Sequence, residues 1–135
     1  MNDTYRIYKE RILHHGTYPC KSIELQAYDF ELTMDHISCG DSVKVQGVIS
    51  DTVLSDVAIM TRGCTMSRAA GSLIAMTLTG ASLETILAYS AQDVQSLLGI
   101  QLGPIRLRCA LLALDCLQKG LTQLRAHQQG ERDAR

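Results

Sequence analysis

VKVQGVISDTVLSDVAIMTRGCTMSRAAGSLIAMTL, residues 43–78, changes its hydrophobic period halfway along, and that change decides the fold. In the first half Val43, Val45 and the run 47–49 form one strand, and 53–61 form another of the same kind. Their period of two is that of half-buried β-structure. Ser50-Asp51-Thr52 between them is a polar hairpin loop. After Arg62-Gly63-Cys64 the pattern turns helical. Residues 66–78 are rich in small side chains (Ala69, Ala70, Gly71, Ser72, Ala75), which suits a helix lying close against a sheet.

Upstream, residues 23–34 also alternate. Tyr28, Phe30, Leu32 and Met34 share one face, with Asp29, Glu31 and Thr33 on the other, so a strand is expected over the whole segment. Cys39-Gly40-Asp41 breaks it as a turn. Before it, Asp3 or Thr4 caps a first helix with Tyr5, Tyr8 and Ile12 on one face, ending near His15-Gly16. Downstream, Ser82 opens a short helix, and Ser90 with Asp93 three residues on reads as a capping box for another. Pro104 is tolerated in a first turn, and Leu107, Leu111, Leu114, Leu117, Leu121 and Leu124 then form a stripe at helical spacing. The expected fold class is α+β: a three-stranded antiparallel sheet with an N-terminal helix and several C-terminal helices packed on one face. One domain is expected over residues 1–126, with 127–135 a polar, frayed tail.

A chain of 135 residues, 46% hydrophobic and 20% charged, is long enough for one real core and too apolar for wholesale disorder. A formal charge of −1 gives no electrostatic reason to expect nucleic acid. No apolar run approaches the roughly 20 residues of a membrane span. Residues 1–11 show no signal-peptide pattern, so the expected compartment is the cytoplasm.

Five cysteines (Cys20, Cys39, Cys64, Cys109, Cys116) form an odd, scattered set without any Cys-x-x-Cys pair. That favours ligand or reactive thiols over a disulfide framework, although buried thiols that merely pack are equally compatible with each cysteine taken alone. Cys39 lies beside Asp41 across a glycine. Cys64 opens a helix, where free N–H groups favour a thiolate. Cys109 follows Arg106 and Arg108, which favour its ionised form. Three thiolates and one carboxylate make a four-ligand set for zinc or iron. Cys116 is two helical turns beyond Cys109, roughly 10 Å by helix rise, and is expected in the core. Cys20 is expected to be a free thiol, His36 a loop residue, and one of His14 and His15 a structural cation at a helix end.

Three segments in order carry a family resemblance: Cys39-Gly40-Asp41, the run Gly63-Cys64-Thr65-Met66-Ser67-x-Ala69-Ala70-Gly71-Ser72, and Gly103-Pro104-Ile105-Arg106-Leu107-Arg108-Cys109-Ala110. Together they resemble the IscU/SufU family of iron–sulfur cluster assembly scaffolds, similar to the N-terminal domain of NifU. The resemblance covers residues 5–124. It implies that Cys39, Asp41, Cys64 and Cys109 converge at one exposed end to hold a resting Zn2+ or, with Fe2+, a transient [2Fe–2S] cluster. It also implies that one of Cys39, Cys64 and Cys109 accepts sulfur from a cysteine desulfurase of the IscS/SufS kind. Apo iron–sulfur proteins or cluster carriers would be the recipients.

Several positions depart from that pattern. The histidine usual before the third cysteine of IscU is Arg108, a basic residue and so more like SufU, and Asp41 rather than an imidazole is the expected fourth ligand. The insertion usual in SufU between Cys64 and Cys109 is missing. Leu102-Gly103-Pro104-Ile105-Arg106 replaces the segment by which IscU engages its Hsp70-type chaperone, and reliance on that chaperone is not expected. His36-Ile37 replaces an Asn-Pro pair, and Thr61 a glycine upstream of the second cysteine. The resemblance therefore implies a scaffold first. A zinc-dependent sulfurtransferase partnering a desulfurase is second, and a non-catalytic zinc-binding regulator of a desulfurase third.

Overall fold

The computed structural model describes residues 3–36 and 40–133. Helix α1 (Asp3–Thr17) leads into strands β1 (Phe30–His36), β2 (Asp41–Ser50) and β3 (Val53–Arg62). Helices α2 (Thr65–Leu78), α3 (Leu83–Ala88), α4 (Ala91–Leu98) and α5 (Pro104–Asp133) follow. The strands form one antiparallel meander in the order β1-β2-β3. The expected α+β class is what the chain adopts. Asp51 turns the β2–β3 hairpin at φ +58°, a left-handed conformation that aspartate tolerates better than most residues.

β1 is shorter than the alternation of residues 23–34 predicts. Pairing begins at Phe30, opposite Gly47. Just before it the Asp29 carboxylate accepts the Ile49 N–H at 2.6 Å, so a side chain takes the donor that a longer strand would have used. The chain ahead of Asp29 instead crosses the outside of the sheet. Gln46, buried in β2, accepts the Leu25 N–H and donates to Glu31, while the Lys21 carbonyl accepts the Ile59 N–H on the open edge of β3. Ile23 and Tyr28 stay exposed there, so the alternation ahead of Phe30 does not report burial against the sheet.

The helices lie on the opposite face. Val43, Val45 and Ile59 of the sheet are buried against Ala69, Ala70, Leu73 and Ile74 of α2 and against Leu114, Leu117 and Leu121 of α5. Each fully buried leucine contributes about 1.5–3 kcal/mol of transfer free energy. The small residues of α2 act as expected. A Cβ on Gly71 would stand 2.8 Å from Thr61 Oγ1, so glycine lets the helix approach β3.

α1 docks on α2 through a buried polar link. Ser72 Oγ accepts the Cys20 N–H at 2.7 Å and lies 2.7 Å from His15 Nδ1. The hydroxyl oxygen has two lone pairs, so with the Cys20 N–H on one of them it donates to a bare Nδ1 or accepts from Nδ1–H, according to the tautomer of the ring. Burial, with Arg11 and His14 adding to it, lowers the His15 pKa. His15 is thus structural, as expected of one of the pair, but burial opposes the charge that the helix end would favour. α5 also runs through to Asp133, so helical structure continues past residue 126 into the stretch expected to fray.

Candidate metal centre

β2 starts and β3 stops at the same end of the sheet, where Ser42 pairs with Arg62. Asp41 therefore faces the Gly63-Cys64 exit from β3. Cys64 is the N-cap of α2 in extended conformation, and its side chain accepts the Ser67 N–H. α5 packs across β1, β2 and α2, which brings its second turn, with Cys109, to the same place. The donor atoms of Asp41, Cys64 and Cys109 all lie within 4.8 Å of one another. Asp41 and Cys109 are buried and Cys64 is exposed, so the cluster opens to solvent at Cys64.

The local bonding is dense. Asp41 Oδ1 accepts the Cys64 N–H at 3.2 Å, and Oδ2 accepts the Ser67 hydroxyl and lies 3.5 Å from Cys64 Sγ. Cys64 Sγ is 3.2 Å from Ser67 Oγ and accepts the Ser67 N–H at 3.4 Å. Gly63 makes this approach possible. A Cβ there would sit 2.1 Å from Asp41 Oδ1, inside any allowed contact.

The donors fit a tetrahedral ion. Zn–S bonds near 2.3 Å and Zn–O bonds near 2.1 Å set neighbouring ligand atoms about 3.3–3.8 Å apart, a small contraction of the observed cluster. Thiolate and carboxylate together suit zinc or iron better than magnesium or calcium, which prefer oxygen alone. Of the four expected site residues the structure brings together Asp41, Cys64 and Cys109. Cys39 lies outside the described residues, as does the side chain of His36.

The other candidates fall elsewhere. Cys116, on the same helix as Cys109, is fully buried with Sγ 3.3 Å from the Leu32 carbonyl, and burial pushes its thiol up to about 11. That is a packed, unreactive thiol, as its spacing predicts. Cys20 is a free, partly exposed thiol away from the cluster. His14 is exposed and stacks at a tilt on Tyr18. Arg106 and Arg108 are exposed. Ser67 and Gly63 were not singled out as site residues by sequence. The signal for Ser67 was present in Cys64-x-x-Ser67, the N-cap and N3 spacing of a helix start.

No helix among the described residues is long and apolar enough to cross a membrane. The model of the family described as the NifU-like N-terminal domain matches residues 7–131. The zinc-dependent sulfurtransferase SufU of Bacillus subtilis is 23% identical over 134 residues, covering 87% of this chain and 90% of its own. The iron–sulfur cluster assembly scaffold protein IscU of Haemophilus influenzae is 26% identical over 125 residues, covering 90% and 98%. Among solved structures, a nitrogen-fixing NifU-like protein (N-terminal) from Brucella abortus superposes with a TM-score of 0.76 at 20% identity, covering 89% of this chain and 95% of that one. A protein described as a scaffold for the SUF system (FiSufU) from Fervidobacterium islandicum gives 0.74 at 18%, covering 87% and 98%. At these identities the structural likeness is one of fold.

Proposed function

The chain belongs to the family of the NifU-like N-terminal domain, and on that premise we propose that it is an iron–sulfur cluster assembly scaffold. The observation that carries the reading is the convergence of Asp41, Cys64 and Cys109, from a strand, a helix cap and a second helix, around one point open at Cys64. Cys39, Asp41, Cys64 and Cys109 are the proposed ligand set, with zinc as the resting ion and a [2Fe–2S] cluster as the cargo.

The roles follow from burial and donor type. Bound zinc would keep the thiols deprotonated and ordered. Cys64 is the exposed thiol among the described members of the set, so it is the proposed entry point for sulfur brought as persulfide by a cysteine desulfurase. Cys109 is held in the wall of the site. Asp41 supplies a harder oxygen donor whose bond to a soft or borderline ion exchanges more readily than a thiolate's, which suits a protein that must release its cargo. Exposed Arg62, Arg106 and Arg108 give this end positive charge with which to meet a partner.

A second reading is a zinc-dependent sulfur carrier, in which zinc stays bound and one thiol is loaned to persulfide. Arg108 in place of a ligating histidine and the likeness to the Bacillus SufU support it. One experiment separates the two. The purified protein is incubated anaerobically with Fe2+, cysteine and a cysteine desulfurase, and absorbance and desulfurase turnover are followed together. Visible charge-transfer bands that require Cys39, Cys64 and Cys109 are the expected result. Faster turnover with zinc retained and no colour would replace the scaffold by the carrier, and silence in both channels would overturn both.

A further inference from the structure

We infer that Ser67 is a positioning residue for the metal centre, its hydroxyl holding the Asp41 carboxylate in the orientation in which it serves as a ligand beside Cys64. The inference deepens the proposed function and rests on its assignment of Asp41 as a ligand.

Ser67 is 1% exposed, at the third position of α2. A serine there ordinarily has two uses, to face solvent or to turn back toward the N–H of the cap residue. It does neither. The cap N–H of Cys64 is taken by Asp41 Oδ1, and the Ser67 hydroxyl donates to Asp41 Oδ2. The carboxylate is therefore gripped at both oxygens by donors from one helix start, which fixes its plane. Oδ2 also lies 3.5 Å from Cys64 Sγ, so the grip sets the carboxylate beside the thiol that is proposed to ligate with it.

Ser67 also divides its two donors between the two ligands. Its backbone N–H points to Cys64 Sγ at 3.4 Å and its hydroxyl to the carboxylate. The hydroxyl has one proton. When Cys64 gives up its own proton to become a ligand, the sulfur still has the Ser67 N–H, and the hydroxyl stays with Asp41. Without that hydroxyl the carboxylate loses the donor at Oδ2 that, with the Cys64 N–H at Oδ1, sets its plane. Hydrogen-bond partners of ligating groups commonly change metal affinity by about 10–100-fold.

The test is Zn2+ affinity of the full chain by competition with a chromophoric chelator, with Co2+ absorption as a report on the ligand set. Ser67→Ala is expected to weaken Zn2+ binding about tenfold while the thiolate-to-cobalt bands persist. Ser67→Thr, which keeps the hydroxyl, is expected to stay within about threefold of the parent. Because Ser67 acts through Asp41, Ser67→Ala should have no further effect in an Asp41→Ala background. A purely structural serine would give the same loss in both backgrounds, and that result overturns the inference. So does a Ser67→Ala protein with the parent affinity, or a Thr variant as weak as Ala. Should Ser67→Ala fail to fold, the Thr and Val variants make the same comparison at constant shape, and equal affinities for that pair overturn the inference. A parent protein that takes up neither Zn2+ nor Co2+ would overturn the metal centre as well, which separates the two failures.

Discussion

Helices α2 and α4 start on the same backbone plan and finish it differently. In each, an extended N-cap residue accepts the N–H three residues on, Cys64 from Ser67 and Ser90 from Asp93. In α4 the acid is local. Asp93 turns back to accept the Ser90 N–H at 2.8 Å, and the capping box closes within four residues at the surface. In α2 the first turn holds no acidic residue, and the cap N–H goes instead to Asp41, 23 residues earlier in β2. A capping box completed from its own sequence satisfies a helix end and leaves nothing over. One completed by a strand gathers a thiol, a hydroxyl and a carboxylate at the positive end of a helix, and that is the beginning of a site.

The largest expected effect that would break this contrast comes from Cys64→Ser. Serine is a preferred N-cap, so the metal-free protein should keep its unfolding free energy within about 0.5 kcal/mol of the parent. Zinc binding, in contrast, should fall by at least about 100-fold as a soft thiolate ligand becomes a neutral hydroxyl. Zinc at a hundred times its dissociation constant stabilises a folded protein by about 2.7 kcal/mol. Denaturant melts should show that gain in the parent and not at the same zinc concentration in the variant. A full gain in the variant would mean that Cys64 only caps the helix.

Next in size is Gly63→Ala. The new methyl meets the Asp41 carboxylate, so a loss of about 1–3 kcal/mol is expected in the melt, together with weaker zinc binding. Unchanged stability would show that Asp41 can move aside at no cost, against the tight grip described for α2. The smallest effect belongs to α4. Ser90→Ala should cost about 1 kcal/mol through the lost cap and leave zinc affinity at the parent value. A change in zinc affinity there would dissolve the distinction between a finished cap and a site.

Much of this architecture was legible in residue order. The switch at Arg62-Gly63-Cys64, the capping pair Ser90 and Asp93, the proline in the first turn of α5 and the leucine stripe are local signals, and each element formed where they stand. The start of β1 was not legible, because residues 23–29 alternate like a strand while residues 18–29 meet the sheet only through bonds such as Leu25 to the Gln46 side chain and Ile59 to the Lys21 carbonyl. The charge of His15 was not legible either. A helix end favours the cation, but the partner that buries the ring, Ser72, is 57 residues away.

The sequence by itself determined the elements, their order and the chemical kinds of donor the chain carries, because dihedral preference, capping and hydrophobic period act over a few residues. Only the tertiary structure decided which donors meet. Cys109 and Cys116 are the same residue on the same helix, yet the packing of α5 across the sheet puts one beside Asp41 and Cys64 and seals the other against Leu32. Position along a helix sets its face, but distance across a fold is set by what that face packs against. Ser67 shows the same division. Its spacing from Cys64 is written in the sequence, and its grip on Asp41 exists only because β2 starts beside the beginning of α2.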